Sequence, residues 1–172
     1  MKKFSRVLFN KNKMKKVQAG FTLIELLVVI LIISILSVTV FVALNPTKRF
    51  ADARDSKRWT DLDTILTAVH EYAVDNGGDI SALNMTTGVE YQLGTAAAAC
   101  TTVSPGCSTM AAACLNLATP LAPYLKSIPF DPKTTIGSAA TTGYKITKDV
   151  NGIITVAACA SESAGSKVSV SR

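Results

Sequence analysis

The sequence holds one histidine, His70, and shows no Ser/His/Asp order, no H-E-x-x-H and no glycine-rich phosphate loop. Those absences remove the common hydrolase, metalloprotease and nucleotide-binding chemistries, so no enzyme and no cofactor are expected. Zinc is disfavoured too. Six residues separate Cys100 from Cys107 and Cys107 from Cys114, which does not match C-x2–4-C ligand spacing. Acid is missing from residues 1–20, and base is missing from residues 21–44. The first twenty residues carry Lys2, Lys3, Arg6, Lys11, Lys13, Lys15 and Lys16; the remainder has 11 basic and 12 acidic side chains, a net of −1. The formal +6 therefore belongs to a short arm, which removes a nucleic-acid reading for the chain as a whole.

What is present is a long apolar run. Residues 21–44 read FTLIELLVVILIISILSVTVFVAL, with one charge, Glu25, and four hydroxyls. About 20 apolar residues cross a bilayer, so this segment can span one. The basic arm marks the cytoplasmic end, since lysine and arginine flanking a span stay inside. Lys48, Arg49, Arg54, Lys57 and Arg58 follow the span, offset by Asp52 and Asp55, and the arm still outweighs them. A cleaved secretory signal does not fit. The run exceeds the 7–15 residues of a signal core, and Val40 or Phe41 stands where a small residue is needed. A plain single-pass anchor explains everything except Gly20 and Glu25. A carboxylate inside a span is a functional hypothesis by default. Its bland alternative is a favourable position at a helix N-terminus, worth ~0.3–1 kcal/mol, with the side chain reaching the interface.

Gly20-Phe21-Thr22-Leu23-Ile24-Glu25, behind a basic leader and ahead of the apolar run, resembles the type IV prepilin signature of pilins and pseudopilins. The resemblance covers about residues 14–45 in detail. It implies cleavage between Gly20 and Phe21 by a membrane-embedded aspartyl prepilin peptidase. It also implies N-methylation of the Phe21 amine and assembly through Phe21 and Glu25 into a helical homo-oligomeric filament. An inner-membrane assembly platform is implied as a partner, with membrane lipid around the span before assembly. The implied route runs from the cytoplasmic membrane to an extracellular pilus serving adhesion, motility or uptake. A type II secretion pseudopilin is the alternative within the family, and a single-pass anchored binding protein the alternative outside it. The basic cluster at 48–58 would suit DNA. However, Lys48–Asp52, Lys57–Asp61 and Arg58–Asp61 stand at helical spacing and offer internal partners, so DNA is left unsupported.

The expected architecture is α+β: a long N-terminal helical spine against a small antiparallel sheet. The expected divisions are a leader 1–20, an assembly helix 21–48 and a head 49–172. Within the head they are a helix 49–76, loops 77–142, a hairpin 143–160 and a tail 161–172. Asn45-Pro46 predicts a kink or a fresh cap, because proline lacks the N–H and restricts the residue before it. Trp59, Leu62, Leu66, Val69 and Ala73, with Ile65 and Tyr72 beside them, form an amphipathic stripe ending at Asn76-Gly77-Gly78. Two β-prone runs around Asn151-Gly152 predict a two-residue hairpin. Residues 88–94 suit a further strand, and 95–120 read as loop with room for a short helix at 109–117; the tail either extends the sheet through 167–171 or frays.

Pro129-Phe130-Asp131-Pro132 followed by Gly143-Tyr144 resembles the Pro-Asp-Pro turn and Gly-Tyr strand of pseudopilins and short pilins. In major pseudopilins the neighbouring loop can bind calcium. Here Asp131 is its only carboxylate over 131–143, against the six to eight oxygens calcium takes, so the metal is not carried over. Cys100, Cys107, Cys114 and Cys159 all follow the span, on the side expected to be oxidising, which favours disulfides. Pro105-Gly106 favours a turn joining Cys100 to Cys107, leaving Cys114 for Cys159. Free thiols are the alternative.

Overall fold

The computed structural model describes residues 20–97, 100, 113–162 and 167–172. The leader up to residue 19, Cys107 and residues 109–112 lie outside them. The chain divides into two units, Met1–Leu44 and Asn45–Arg172.

The first unit contains α1 (Leu23–Leu44), none of whose residues is buried in the chain. It opens the one candidate membrane span among the described residues. Its hydroxyls are satisfied inside the helix. Ser34 Oγ donates to the Ile30 carbonyl, Ser37 Oγ to Ile33, each at 2.7 Å, and Thr39 Oγ1 to Leu36 at 2.8 Å. A polar group facing hydrocarbon needs such a partner. The apolar surface of α1 is therefore left for lipid or another protein to cover.

At Asn45 the backbone enters the left-handed region (φ 40°), and its side-chain oxygen accepts the Lys48 N–H at 3.4 Å. Pro46 then occupies the first helical position of α2 (Pro46–Asp75), where its missing N–H costs nothing. The expected cap thus forms. Helix α2 stops at Asn76, and Gly77 and Gly78 follow at φ 65° and 91°. The Gly78 N–H closes the last turn on the Ala73 carbonyl at 2.7 Å.

Four strands follow: β1 (Glu90–Gln92), β2 (Tyr144–Lys148), β3 (Ile154–Ala158) and β4 (Ser169–Ser171), all antiparallel in the order β1-β2-β3-β4. Leu62, Ile65, Leu66, Ala68 and Val69 of α2 pack with Tyr144, Ile146, Ile154 and Val156 of the sheet. Full burial of a side chain of this size is worth ~1.5–3 kcal/mol, so this stripe holds helix to sheet. The architecture is the α+β arrangement expected.

Four details differ from expectation. Trp59 is 43% exposed, while its neighbour Arg58 is fully buried; the α2 face at that level meets a carboxylate, not an apolar surface. The hairpin loop is five residues long, since Lys148 pairs with Ile154. The Asp149 carboxylate accepts the N–H groups of Asn151 and Ile153 at 2.8 and 2.7 Å, which favours the wider loop over a two-residue turn. The described part of 109–117 is not helical: Leu115 bridges Leu93 in a parallel pair and donates its N–H to the Gln92 carbonyl at 2.8 Å. That bridge also overturns the expected Cys100–Cys107 pairing. It draws residue 114 alongside β1, and Cys100 is disulfide-bonded to Cys114 with Cα atoms 5.2 Å apart. Cys159 is disulfide-bonded as well.

Charge along α2 is distributed against the helix dipole. Residues 46–60 carry five basic and two acidic side chains, and residues 61–75 four acidic and no Lys or Arg. Each charge of the wrong sign at a helix end costs ~0.3–1 kcal/mol unless something else compensates it.

Candidate processing and assembly site

Thr22 precedes α1 and acts as its N-cap. Its N–H and its hydroxyl both donate to Glu25 Oε2 at 2.8 Å, and its Oγ1 accepts the Glu25 N–H at 3.3 Å. This reciprocal arrangement is a capping box, Thr-x-x-Glu, in which two otherwise orphaned N–H groups find partners. It accounts for the carboxylate at this position more fully than the helix dipole does. It also uses one carboxylate oxygen; Oε1 makes no hydrogen bond among the described residues.

Gly20 lies just outside this cap in open space. A Cβ built there meets no atom within 4 Å, and its backbone is not in the left-handed region. The chain's own conformation therefore does not demand glycine at position 20. A requirement for it has to come from something that approaches the backbone closely. Phe21, next along, is 87% exposed. Phe21, Ile24, Glu25, Val28 and Val29 line one shallow groove at the start of the helix.

Residues 15–41 match the family model for the prokaryotic N-terminal methylation motif. The chain carries a prepilin-type motif. With the long apolar helix, that match fits a type IV pilin-like protein. No curated protein and no solved structure matches the chain. The prepilin-type segment contains the Gly20–Phe21 bond and Glu25, and the pilin-like fold sets it on a helix whose surface is uncovered. The motif fits a membrane-anchored precursor and a structural subunit rather than an enzyme.

In the head of this prepilin-type chain the most developed polar site is one that residue spacing did not reveal. Arg58 donates to Asp131 through Nε and Nη2, at 2.7 and 2.8 Å, and to Asp55 through Nη1 at 2.6 Å. Arg58 and Asp131 are both fully buried. Burial opposes the guanidinium charge, but the bonds from Asp131 and Asp55 more than offset it and raise the group above its ordinary value. The Arg58–Asp61 pair expected from spacing is not formed. Asp61 instead pairs with Lys57 and accepts the Tyr144 hydroxyl at 2.8 Å. Burial, then that bond, pushes the Tyr144 phenol upward.

Asp131 is enclosed by glycine. A Cβ at Gly137 would come within 2.5 Å of the Asp131 backbone, and one at Gly143 (φ 76°) within 3.1 Å of its Cβ. The 131–143 loop folds tightly over a carboxylate whose two oxygens both bind Arg58.

Glu162 completes the cluster. Its carboxylate pairs with Arg54 and with Lys133 at 3.1 Å, and its N–H donates to Asp55 at 3.1 Å. The bond from Arg54, against a smaller effect of burial, holds Glu162 below its ordinary value of 4.5. A depressed carboxylate stabilises the fold above its unfolded value, and that stabilisation is lost as pH falls through the folded one. Thermal unfolding of the full-length chain in detergent should therefore show a midpoint that drops below about pH 4.5. Glu162→Gln should lose about 0.5–1 kcal/mol at pH 7, as for an ion pair whose cations are partly exposed, and show a shallower acid limb. An unchanged acid limb would remove Glu162 from the account.

Proposed function

We propose that the chain is the structural subunit of a type IV pilus-like filament. It is made as a precursor, cut between Gly20 and Phe21, methylated on the Phe21 amine, and polymerised through residues 21–48, with residues 49–172 as the exposed head. The observation that supports this most is the combination at one helix start: a glycine that the described backbone does not need, an exposed aromatic, and a carboxylate with one oxygen unbonded among the described residues. Cleavage removes seven basic side chains and leaves an amine one residue before the Thr22 cap. Buried charges are paired or neutralised. In a bundle of apolar helices, where hydrophobicity gives no preference between lipid and protein, a Glu25 carboxylate and a neighbouring subunit's Phe21 amine fix the axial register. Prepilin peptidase, an inner-membrane assembly platform, lipid before assembly and sister copies are the partners this requires. The mature form works outside the cell in adhesion, motility or uptake.

Mass spectrometry of the native protein tests this directly. The expected N-terminus is methylated Phe21. Gly20→Val should leave an uncut precursor in the membrane and no filaments. Because position 20 is open, the fold itself should be unaffected. Mature-length chain from that variant, or removal of the leader at another bond, contradicts the proposal. Electron microscopy of sheared material separates the alternatives: long surface filaments support the pilin, short secretion-linked ones a pseudopilin, and none a single-pass anchor.

A further inference from the structure

We infer that the two ends of α2 form a charge-matched contact between copies of this chain, Lys48 and Arg49 of one copy against Glu71 and Asp75 of another. The inference rests on the filament reading above and adds to it a second contact, made by α2.

The four side chains are exposed. Most other charges of α2 are paired inside the chain: Arg54 with Glu162, Lys57 with Asp61, Arg58 with Asp55 and Asp131, and Asp63 with Arg172. Lys48, Arg49 and Glu71 make no ion pair among the described residues, and Asp75 accepts only the neutral Tyr124 hydroxyl, at 2.6 Å. Each end carries the sign that the helix dipole disfavours, so neither charge set is explained by the helix that bears it. At the acidic end Glu71 and Asp75 line a groove with His70, Tyr124 and Arg172, and the one cation there, Arg172, is paired with Asp63 at 3.4 Å.

The two ends cannot meet within one copy. They are separated by 22–27 residues of continuous helix, or roughly 33–40 Å at 1.5 Å per residue. A second copy displaced along the helix by that distance brings them together. The patches are different, so the contact is heterologous: each copy keeps one patch unused, and addition continues without closure. That is the symmetry of a filament rather than of a closed dimer. Exposed pairs of this kind are screened by salt and set register and partner choice more than bulk affinity.

The test uses full-length chain in producing cells. Carbodiimide treatment of sheared filaments, which joins an amine to a carboxylate with no spacer, should link the Lys48 peptide to the Glu71 or Asp75 peptide. Such a link cannot form within one α2. Lys48→Glu with Arg49→Glu should lower filament yield at least tenfold, and so should Glu71→Lys with Asp75→Lys. The two reversals together should return it to within about threefold of the wild type. Glu71→Lys alone keeps the Asp75–Tyr124 bond and should show a partial loss. Lys48→Glu, Arg49→Glu and Glu71→Lys each improve the match to the helix dipole and break no ion pair among the described residues, so filaments lost in these variants at normal membrane levels do not reflect misfolding.

A neutral effect at the acidic end, with loss at the basic end, assigns Lys48 and Arg49 to lipid phosphates and overturns the inference. Failure of the combined reversal to restore filaments, or absence of the cross-link, overturns it as well. In each of these cases wild-type filaments still form and the filament reading stands. Absence of filaments from the wild type removes that reading and this inference with it.

Discussion

Arg58→Met is expected to lower the stability of the head by about 3–5 kcal/mol at pH 7, the cost of leaving buried charge without its partner. Asp131 is fully buried and both its oxygens bond to Arg58; Asp55, nearly as buried, bonds to the same guanidinium. Methionine matches the length of the arginine stem but none of its donors. For a domain of this size the loss corresponds to roughly 10–20 °C in midpoint. The single tryptophan, Trp59, sits beside the altered residue and reports the transition by fluorescence.

Two companion measurements separate the pair from mere packing. Arg58→Met combined with Asp131→Leu should recover a large part of the loss, giving a coupling of ~2 kcal/mol or more in the double-mutant cycle. Arg58→Lys should not rescue, since an ammonium cannot make the two-pronged contact. A midpoint for Arg58→Met within a few degrees of the wild type would show that the cluster does not hold the head together.

That cluster also marks where the sequence could and could not be read. The stripe Leu62, Ile65, Leu66 and Val69 was legible because helical burial repeats every three to four residues, and all four are fully buried. The strands and their order of appearance were legible from β-prone runs between turn residues. Arg58 was not, because an arginine on an amphipathic helix reads as solvated, and its partner Asp131 lies 73 positions away. Spacing supplied Asp61 as the nearest acid, but Asp61 is taken by Lys57 and Tyr144. The disulfide pairing failed for the same reason. A local Pro-Gly turn argued for Cys107, whereas the Leu93–Leu115 bridge, a long-range backbone contact, sets Cys114 beside Cys100. The Thr22–Glu25 box is a different case. Its four-residue signature, Thr22-x-x-Glu25, is local and stands in the sequence, but the same carboxylate also reads as a charge in an apolar span, and only the bonds from Thr22 show it as a cap.

That cap makes Glu25→Gln the sharpest test of assembly. Glutamine serves in a capping box as well as glutamate does, so its side-chain oxygen can still accept the Thr22 N–H and hydroxyl now bonded to Oε2. The start of α1, membrane insertion and cleavage after Gly20 should all survive. What disappears is the negative charge, and with it any pairing to a neighbouring copy's Phe21 amine. If that pair is made in the apolar core of a filament, breaking it by removing one partner costs ~3–5 kcal/mol at every subunit added. At 1.4 kcal/mol per factor of ten, that weakens each addition by roughly a hundredfold or more, enough to bring filaments below detection while mature subunit accumulates in the membrane. Thr22→Val makes the opposite change: it removes the hydroxyl from the box and leaves the charge, so it should lower filament yield only modestly. Immunoblots of sheared and membrane fractions, with the N-terminal mass of each variant, distinguish the two. Filaments from Glu25→Gln at wild-type yield would mean that the carboxylate is a helix cap and nothing more.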